Sequence, residues 1–87
     1  MADITIYTKP FCPFCIRAVS LLEKKGVAFT EIEAAFDAVK KQEMLARSGG
    51  RATFPQIFIN DQHIGGCDDM MALEADGKLD PLLAAEA

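Results

Sequence analysis

Two cysteines two residues apart, Cys12 and Cys15 in the run Cys12-Pro13-Phe14-Cys15, are the residues best suited to do chemistry. A thiol attacks a disulfide as thiolate, so a redox cysteine needs surroundings that favour negative charge. Pro13 suits the first turn of a helix, which places Cys12 at its cap. The unpaired backbone N–H groups and the positive end of the helix dipole then face the Cys12 sulfur. Lys9, three residues earlier, adds positive charge. Cys15 sits one turn inside, near enough to close an internal disulfide. The spacing assigns Cys12 as attacking thiol and Cys15 as resolving thiol.

A third cysteine, Cys67, makes the total odd, which does not fit the paired framework of a stapled secreted domain. A cytosolic protein keeps its thiols reduced unless they are catalytic or bound to metal. The metal alternative is a zinc set of Cys12, Cys15, His63 and Cys67. Against it, His63 and Cys67 straddle the glycine pair Gly65-Gly66 and a helix start, and the chain has apolar material enough to fold without metal.

The elements that must position the cysteines are legible from periodicity. Residues 3–8 alternate in polarity and read as a strand. After Pro10 and Pro13, Ile16, Val19 and Leu22 recur at helical spacing, with Ala18 and Leu21 beside them. Lys24-Lys25-Gly26 stops that helix with cations and a glycine. Residues 27–32 read as a second strand. Asp37 caps a second helix that runs to about Arg47 and ends at Gly49-Gly50. Residues 56–59 form a third strand, Asn60-Asp61 a tight turn, and 62–64 a returning fourth strand. A third helix starts at Cys67 or Asp68 and stops near Gly77. Asp80-Pro81, a cap followed by proline, starts a short last helix. The order is β-α-β-α-β-β-α with that short addition. The strand–helix–strand unit implies a parallel pair with a right-handed crossover. The expected architecture is α/β: a four-stranded mixed sheet flanked by helices.

At 87 residues the chain is expected to be one domain, 1–87. A hydrophobic fraction of 51% supplies a core, and charged residues at 25% do not suggest disorder. No apolar stretch nears the roughly 20 residues of a membrane span. The start, Met1-Ala2-Asp3-Ile4, lacks the basic and apolar regions of a signal peptide. A cytoplasmic protein, without membrane attachment, is the expectation. The formal charge of −4 argues against a nucleic-acid partner. The acidity is uneven, with Lys9, Arg17, Arg47 and Arg51 near the segments that carry chemistry.

Three motifs in order carry a family resemblance over nearly the whole chain. They are Ile6-Tyr7-Thr8-Lys9 ahead of the cysteine pair, Thr53-Phe54-Pro55-Gln56-Ile57-Phe58-Ile59, and His63-Ile64-Gly65-Gly66-Cys67-Asp68-Asp69. With these, the chain resembles the glutaredoxins, most of all the small bacterial dithiol kind. The resemblance implies a thioredoxin-like fold and a glutathione-dependent thiol–disulfide oxidoreductase. Such an enzyme reduces protein–glutathione mixed disulfides and protein disulfides. Glutathione is implied as co-substrate, recycled by a glutathione reductase system, with no tightly bound cofactor and a monomeric chain.

The resemblance also implies where glutathione binds. Pro55 is expected in cis and facing the cysteine pair, which leaves backbone groups of Phe54 free for an incoming peptide. Thr53 and Gly66 belong to the same site. The N–H groups of Cys67 and Asp68 at a helix start suit one glutathione carboxylate. Asp68 or Asp69 suits its ammonium, with helix capping as the plainer role. Lys9 and Arg51 are the candidates for the other carboxylate. Phe14 flanks the sulfur and excludes water, and Cys67 is a small neutral neighbour of the ligand. His63 is expected to be an ordinary strand residue. Two residues depart from the family pattern. Phe14 replaces the usual tyrosine and removes a hydroxyl, and Phe54 stands where valine is usual. Two further functions fit less well. An iron–sulfur carrier of this kind usually has glycine and serine in the cysteine loop, and a thioredoxin-like enzyme with its own reductase would not need Gly65-Gly66-Cys67-Asp68-Asp69.

Overall fold

The computed structural model describes residues 2–86. Its elements run β1 (Ile4–Thr8), α1 (Pro13–Lys24), β2 (Thr30–Glu33), α2 (Ala38–Arg47), β3 (Gln56–Ile59), β4 (Gln62–Gly65), α3 (Cys67–Ala75) and α4 (Leu79–Ala84). The strands form one sheet in the order β2-β1-β3-β4. β1 pairs with β2 in parallel and with β3 antiparallel, and β3 pairs antiparallel with β4. This is the expected mixed sheet.

Side chains of a strand alternate between the faces of its sheet, and the core follows that rule. Ile4, Ile6, Ile57 and Ile59 point to one face, where they meet Ala18 and Leu22 of α1, Met70 of α3, and Leu79 and Leu83 of α4. Tyr7 and Phe58 point to the other, where they meet Met44 of α2 and Ala34, which follows β2. β1 and β3 lie centrally and are covered on both sides, so β3 is buried at every position. Burying one such aliphatic or aromatic side chain contributes roughly 1.5–3 kcal/mol. Lys25, which caps α1, ties this layer together through ion pairs of 2.8 Å each to Glu74 of α3 and Asp80 of α4. Among the described residues no helix is long and apolar enough to cross a membrane.

Three expectations are corrected. The second strand is Thr30–Glu33 rather than 27–32, because the parallel register begins at Thr5 with Thr30. Val27 and Phe29 lie before the strand and pack on the core as part-buried loop residues. The buried stripe of α1 is Cys15, Ala18 and Leu22, while Ile16 is exposed. The last helix starts at Leu79 with Lys78 as its cap, two residues before Pro81. Leu79 is fully buried and anchors that start, and a proline is tolerated in a first turn where its missing N–H has no helical partner. The Asp37 cap of α2 is as expected, its carboxylate accepting the Lys40 N–H at 3.1 Å. Asn60 and Asp61 turn the β3–β4 hairpin with φ of 51° and 65°.

Candidate active site

Phe11 swings the chain from β1 into α1. Its φ is +57°, a left-handed conformation that a bulky residue rarely adopts, and its ring is almost wholly exposed. The turn delivers Cys12 as the N-cap of α1 in extended conformation. The Cys12 carbonyl accepts the Ile16 N–H at 3.0 Å, and the Cys12 sulfur accepts the Cys15 N–H at 3.3 Å. The cysteine pair is thus one local unit, with the Cys12 sulfur set against the N–H of Cys15 in the first turn of the helix. Both residues are buried. Burial, joined by the neighbouring Cys12, pushes the Cys15 thiol up to about 12. Proline, not glycine, marks this turn in the sequence, so the strained Phe11 gave no local signal.

Two clefts lie on this part of the surface, one lined by Phe14 and the other by both cysteines. One, of about 150 Å³, is lined by the segment Thr53-Phe54-Pro55, by Gly66, Cys67, Asp68 and Asp69, and by Phe14 and Arg51. The Phe54–Pro55 bond is cis. Sheet pairing ends at Gln56 opposite Tyr7, so Phe54 and Pro55 stand beyond the paired backbone. The other cleft, of about 500 Å³, is lined by Cys12 and Cys15 together with Lys9, Phe11 and Ile16. Lys9 lines this second cleft, whereas the other candidate binding residues line the first. Arg47, grouped with the functional basic residues on sequence, lines neither cleft. Its guanidinium lies 4.3 Å from the Phe58 ring centroid and donates to Tyr7 Oη at 3.0 Å and Asp61 at 3.2 Å.

The start of α3 is built on Gly65 and Gly66. Asp69, the third residue of the helix, accepts the Gly66 N–H at 2.9 Å and receives Arg51 at 3.2 Å. The Gly66 bond first, and then Arg51, holds the Asp69 carboxyl below the usual carboxylate range. Asp69 is thus engaged within the chain, and Asp68 stands next to it at the cleft, both residues being exposed. Gly65 has φ of +118°, and a Cβ there would fall 2.3 Å from Asp69 Oδ2, so only glycine fits. Cys67 is buried, and burial raises its thiol pKa, with Arg17 opposing. Phe14 is about half exposed at the cleft mouth rather than in the core.

The zinc set does not assemble. His63 lies in β4 with its ring on Gln56 Oε1 at 2.6 Å. Among the described residues no three His, Cys, Asp or Glu side chains gather into a metal-holding group. The Arg51–Asp69 pair and the Gln56–His63 bond were not legible in the sequence. The one available signal was Gln56, a polar residue heading an otherwise apolar central strand.

Against known proteins, a sequence model of the Glutaredoxin family matches residues 4–64. The chain belongs to the glutaredoxin family. Glutaredoxin 3 of Escherichia coli (strain K12) is 59% identical over 83 residues, covering 95% of this chain and 99% of that protein. The solution structure of glutaredoxin from Brucella melitensis superposes with a TM-score of 0.81 at 57% identity, over 95% of this chain and 89% of that one. The crystal structure of a buckwheat glutaredoxin–glutathione complex superposes with a TM-score of 0.83 at 32% identity, over 94% and 76%. This glutaredoxin accordingly has the thioredoxin-like fold and the thiol–disulfide oxidoreductase role of its family, with Cys12 and Cys15 as its C-x-x-C pair.

Proposed function

We propose that this glutaredoxin uses glutathione to reduce protein–glutathione mixed disulfides and protein disulfides, with Cys12 as nucleophile and Cys15 as resolving thiol. The observation that carries this reading is the placement of Cys12. Its sulfur caps α1 and accepts the Cys15 N–H, and Phe14, between the two cysteines in the chain, lines a cleft together with Pro55 and the start of α3.

The Cys12 thiolate attacks the glutathione sulfur of a glutathionylated protein. The new S–S bond joins Cys12 to glutathione, the old one breaks, and the protein thiolate leaves and takes a proton. A second glutathione thiolate then attacks the glutathione sulfur held on Cys12. Glutathione disulfide departs and Cys12 is free again. Alternatively, Cys15 attacks the Cys12 sulfur, expels glutathione and leaves the Cys12–Cys15 disulfide. On this second route the buried Cys15 thiol must first lose its proton, which burial opposes. A protein disulfide requires Cys15, because no glutathione is then present on Cys12.

Glutathione offers two carboxylates, an ammonium and a peptide backbone. In this reading one carboxylate meets the N–H groups of Cys67 and Asp68, where the α3 dipole adds to their attraction. The exposed Asp68 carboxylate takes the ammonium. Arg51, and Lys9 from the second cleft, serve the other carboxylate. The backbone of Phe54, beyond the sheet, pairs with the peptide, and Thr53 and Gly66 line its path. The buckwheat relative, solved as a complex with glutathione, supports a ligand of this chemistry. The setting that fits is a reducing, glutathione-containing cytoplasm.

The test is steady-state reduction of a small glutathione mixed disulfide, coupled through glutathione to glutathione reductase. Cys12→Ser abolishes turnover and Cys15→Ser retains it. Full activity in Cys12→Ser would overturn the mechanism.

A further inference from the structure

We propose that Gln56 and His63 are positioning residues that hold the segment Thr53-Phe54-Pro55 in the shape that receives glutathione; the proposal rests on the glutathione reading above. Gln56 opens β3 with its side chain fully buried. A buried primary amide has two N–H donors and a carbonyl to satisfy, and leaving them unpaired is costly. Gln56 Nε2 donates to the Thr53 carbonyl oxygen at 2.9 Å and to Thr53 Oγ1 at 3.0 Å. Turning the amide over would set two carbonyl oxygens against each other, so its orientation is decided. Oε1 must then face the His63 ring, whose Nε2 lies 2.6 Å away. An acceptor on one side requires a donor on the other, so His63 carries its proton on Nε2. The result is a directed chain: His63 donates to Gln56, and Gln56 donates to Thr53.

The segment needs such a tether. It lies between α2 and β3, outside any regular element, and sheet pairing begins only at Gln56. Its upstream end is held by Ser48, whose hydroxyl donates to the Arg51 carbonyl at 3.0 Å. Gln56 holds the downstream end. Between the two tethers lie residues that line the smaller cleft. His63 is itself fixed by stacking on Phe58, centroid to centroid 5.0 Å, with which it is also paired across the hairpin. Burial, helped by the Arg51 charge, keeps His63 toward its neutral form, against the opposing pull of Asp69.

The experiment compares the parent with Gln56→Met, His63→Leu and His63→Gln in the reduction of a glutathionylated peptide, with kcat and KM determined separately. Gln56→Met and His63→Leu are expected to raise KM about fivefold, the loss of one net hydrogen bond's worth of ordering, with kcat within about twofold of the parent. His63→Gln, which keeps an N–H donor, should restore KM to within about twofold. The rate at which iodoacetamide alkylates Cys12 should be the same in all four proteins. An unchanged KM in both Gln56→Met and His63→Leu would overturn the proposal, as would a Cys12 alkylation rate that moves with KM. Nitrogen-15 NMR of the parent supplies a readout without substrate: the Nε2–H tautomer is expected, and an Nδ1–H tautomer would overturn the directed chain. A parent that turns over no glutathionylated peptide would instead sink the glutathione reading, and the positioning role with it, so the two failures are told apart.

Discussion

The backbone N–H of Cys15 donates to the sulfur of Cys12 across 3.3 Å, so the backbone of one cysteine orients the thiol of the other. This bond belongs to the backbone and survives any substitution of the Cys15 side chain. The two roles of Cys15 are therefore separable. In the proposed cycle its thiol forms the internal disulfide, while its amide orients the Cys12 sulfur whichever thiol resolves.

Alkylation separates the three thiols. Burial first, and then the neighbouring Cys12, pushes the Cys15 thiol up to about 12, and burial also raises the Cys67 thiol. At neutral pH both stay protonated and unreactive. Iodoacetamide given to the reduced protein at pH 7 should label Cys12 first, by peptide mapping, with Cys15 and Cys67 labelled only on unfolding. Equal labelling of Cys12 and Cys15 in the native protein would contradict the environment described. The same shift has a consequence for stability. The folded form holds the Cys15 proton to higher pH than the unfolded chain, so stability is complete below the ordinary thiol pKa of 9.0 and declines as pH rises toward about 12. Cys15→Ser should remove that part of the alkaline slope in urea titrations.

Asp69 does local structural work at the start of α3. Asp69→Ala removes both its bond to the Gly66 N–H and its pair with Arg51, and should cost on the order of 1 kcal/mol in chemical denaturation. Asp69→Asn keeps an acceptor oxygen and should cost less, because an exposed ion pair adds little. The carboxyl is held below its ordinary 3.8, so its contribution is present above that value and lost as pH falls through the lowered one. Asp69→Ala should flatten the acid limb of the stability curve.

Gly65→Ala tests the same corner from the backbone side. The new methyl carbon would meet Asp69 Oδ2 at 2.3 Å, and the φ of +118° is open to glycine alone. The expected loss is roughly 1–3 kcal/mol, read from the denaturation midpoint. Gly26, whose Cβ position is open, should tolerate alanine better, limited by its φ of +71°.

What was legible in the sequence follows from the range of the forces involved. The Cys12 cap, the Asp37 cap and the Asn60-Asp61 turn are local, and each appears where its residues predicted. The β2 boundary was misplaced because Val27 and Phe29 look like strand residues, yet their burial comes from packing against a core assembled by distant elements. The start of α4 was set by the burial of Leu79, a tertiary effect that outweighed the Asp80-Pro81 signal. In the site, the motifs placed the cysteine pair, the Pro55 segment and the α3 start. The bond from His63 to Gln56 and the pair of Arg51 with Asp69 join residues 7 and 18 positions apart, which no local pattern encodes.

The central claim is that Cys12 alone carries glutathione during turnover. Its most direct test is mass spectrometry of Cys15→Ser after exposure to glutathione disulfide, with peptide mapping of the adduct. We predict one glutathione per chain, on the peptide containing Cys12, released by added glutathione. An adduct on Cys67 with Cys12 unmodified, or no adduct at all, would contradict the account.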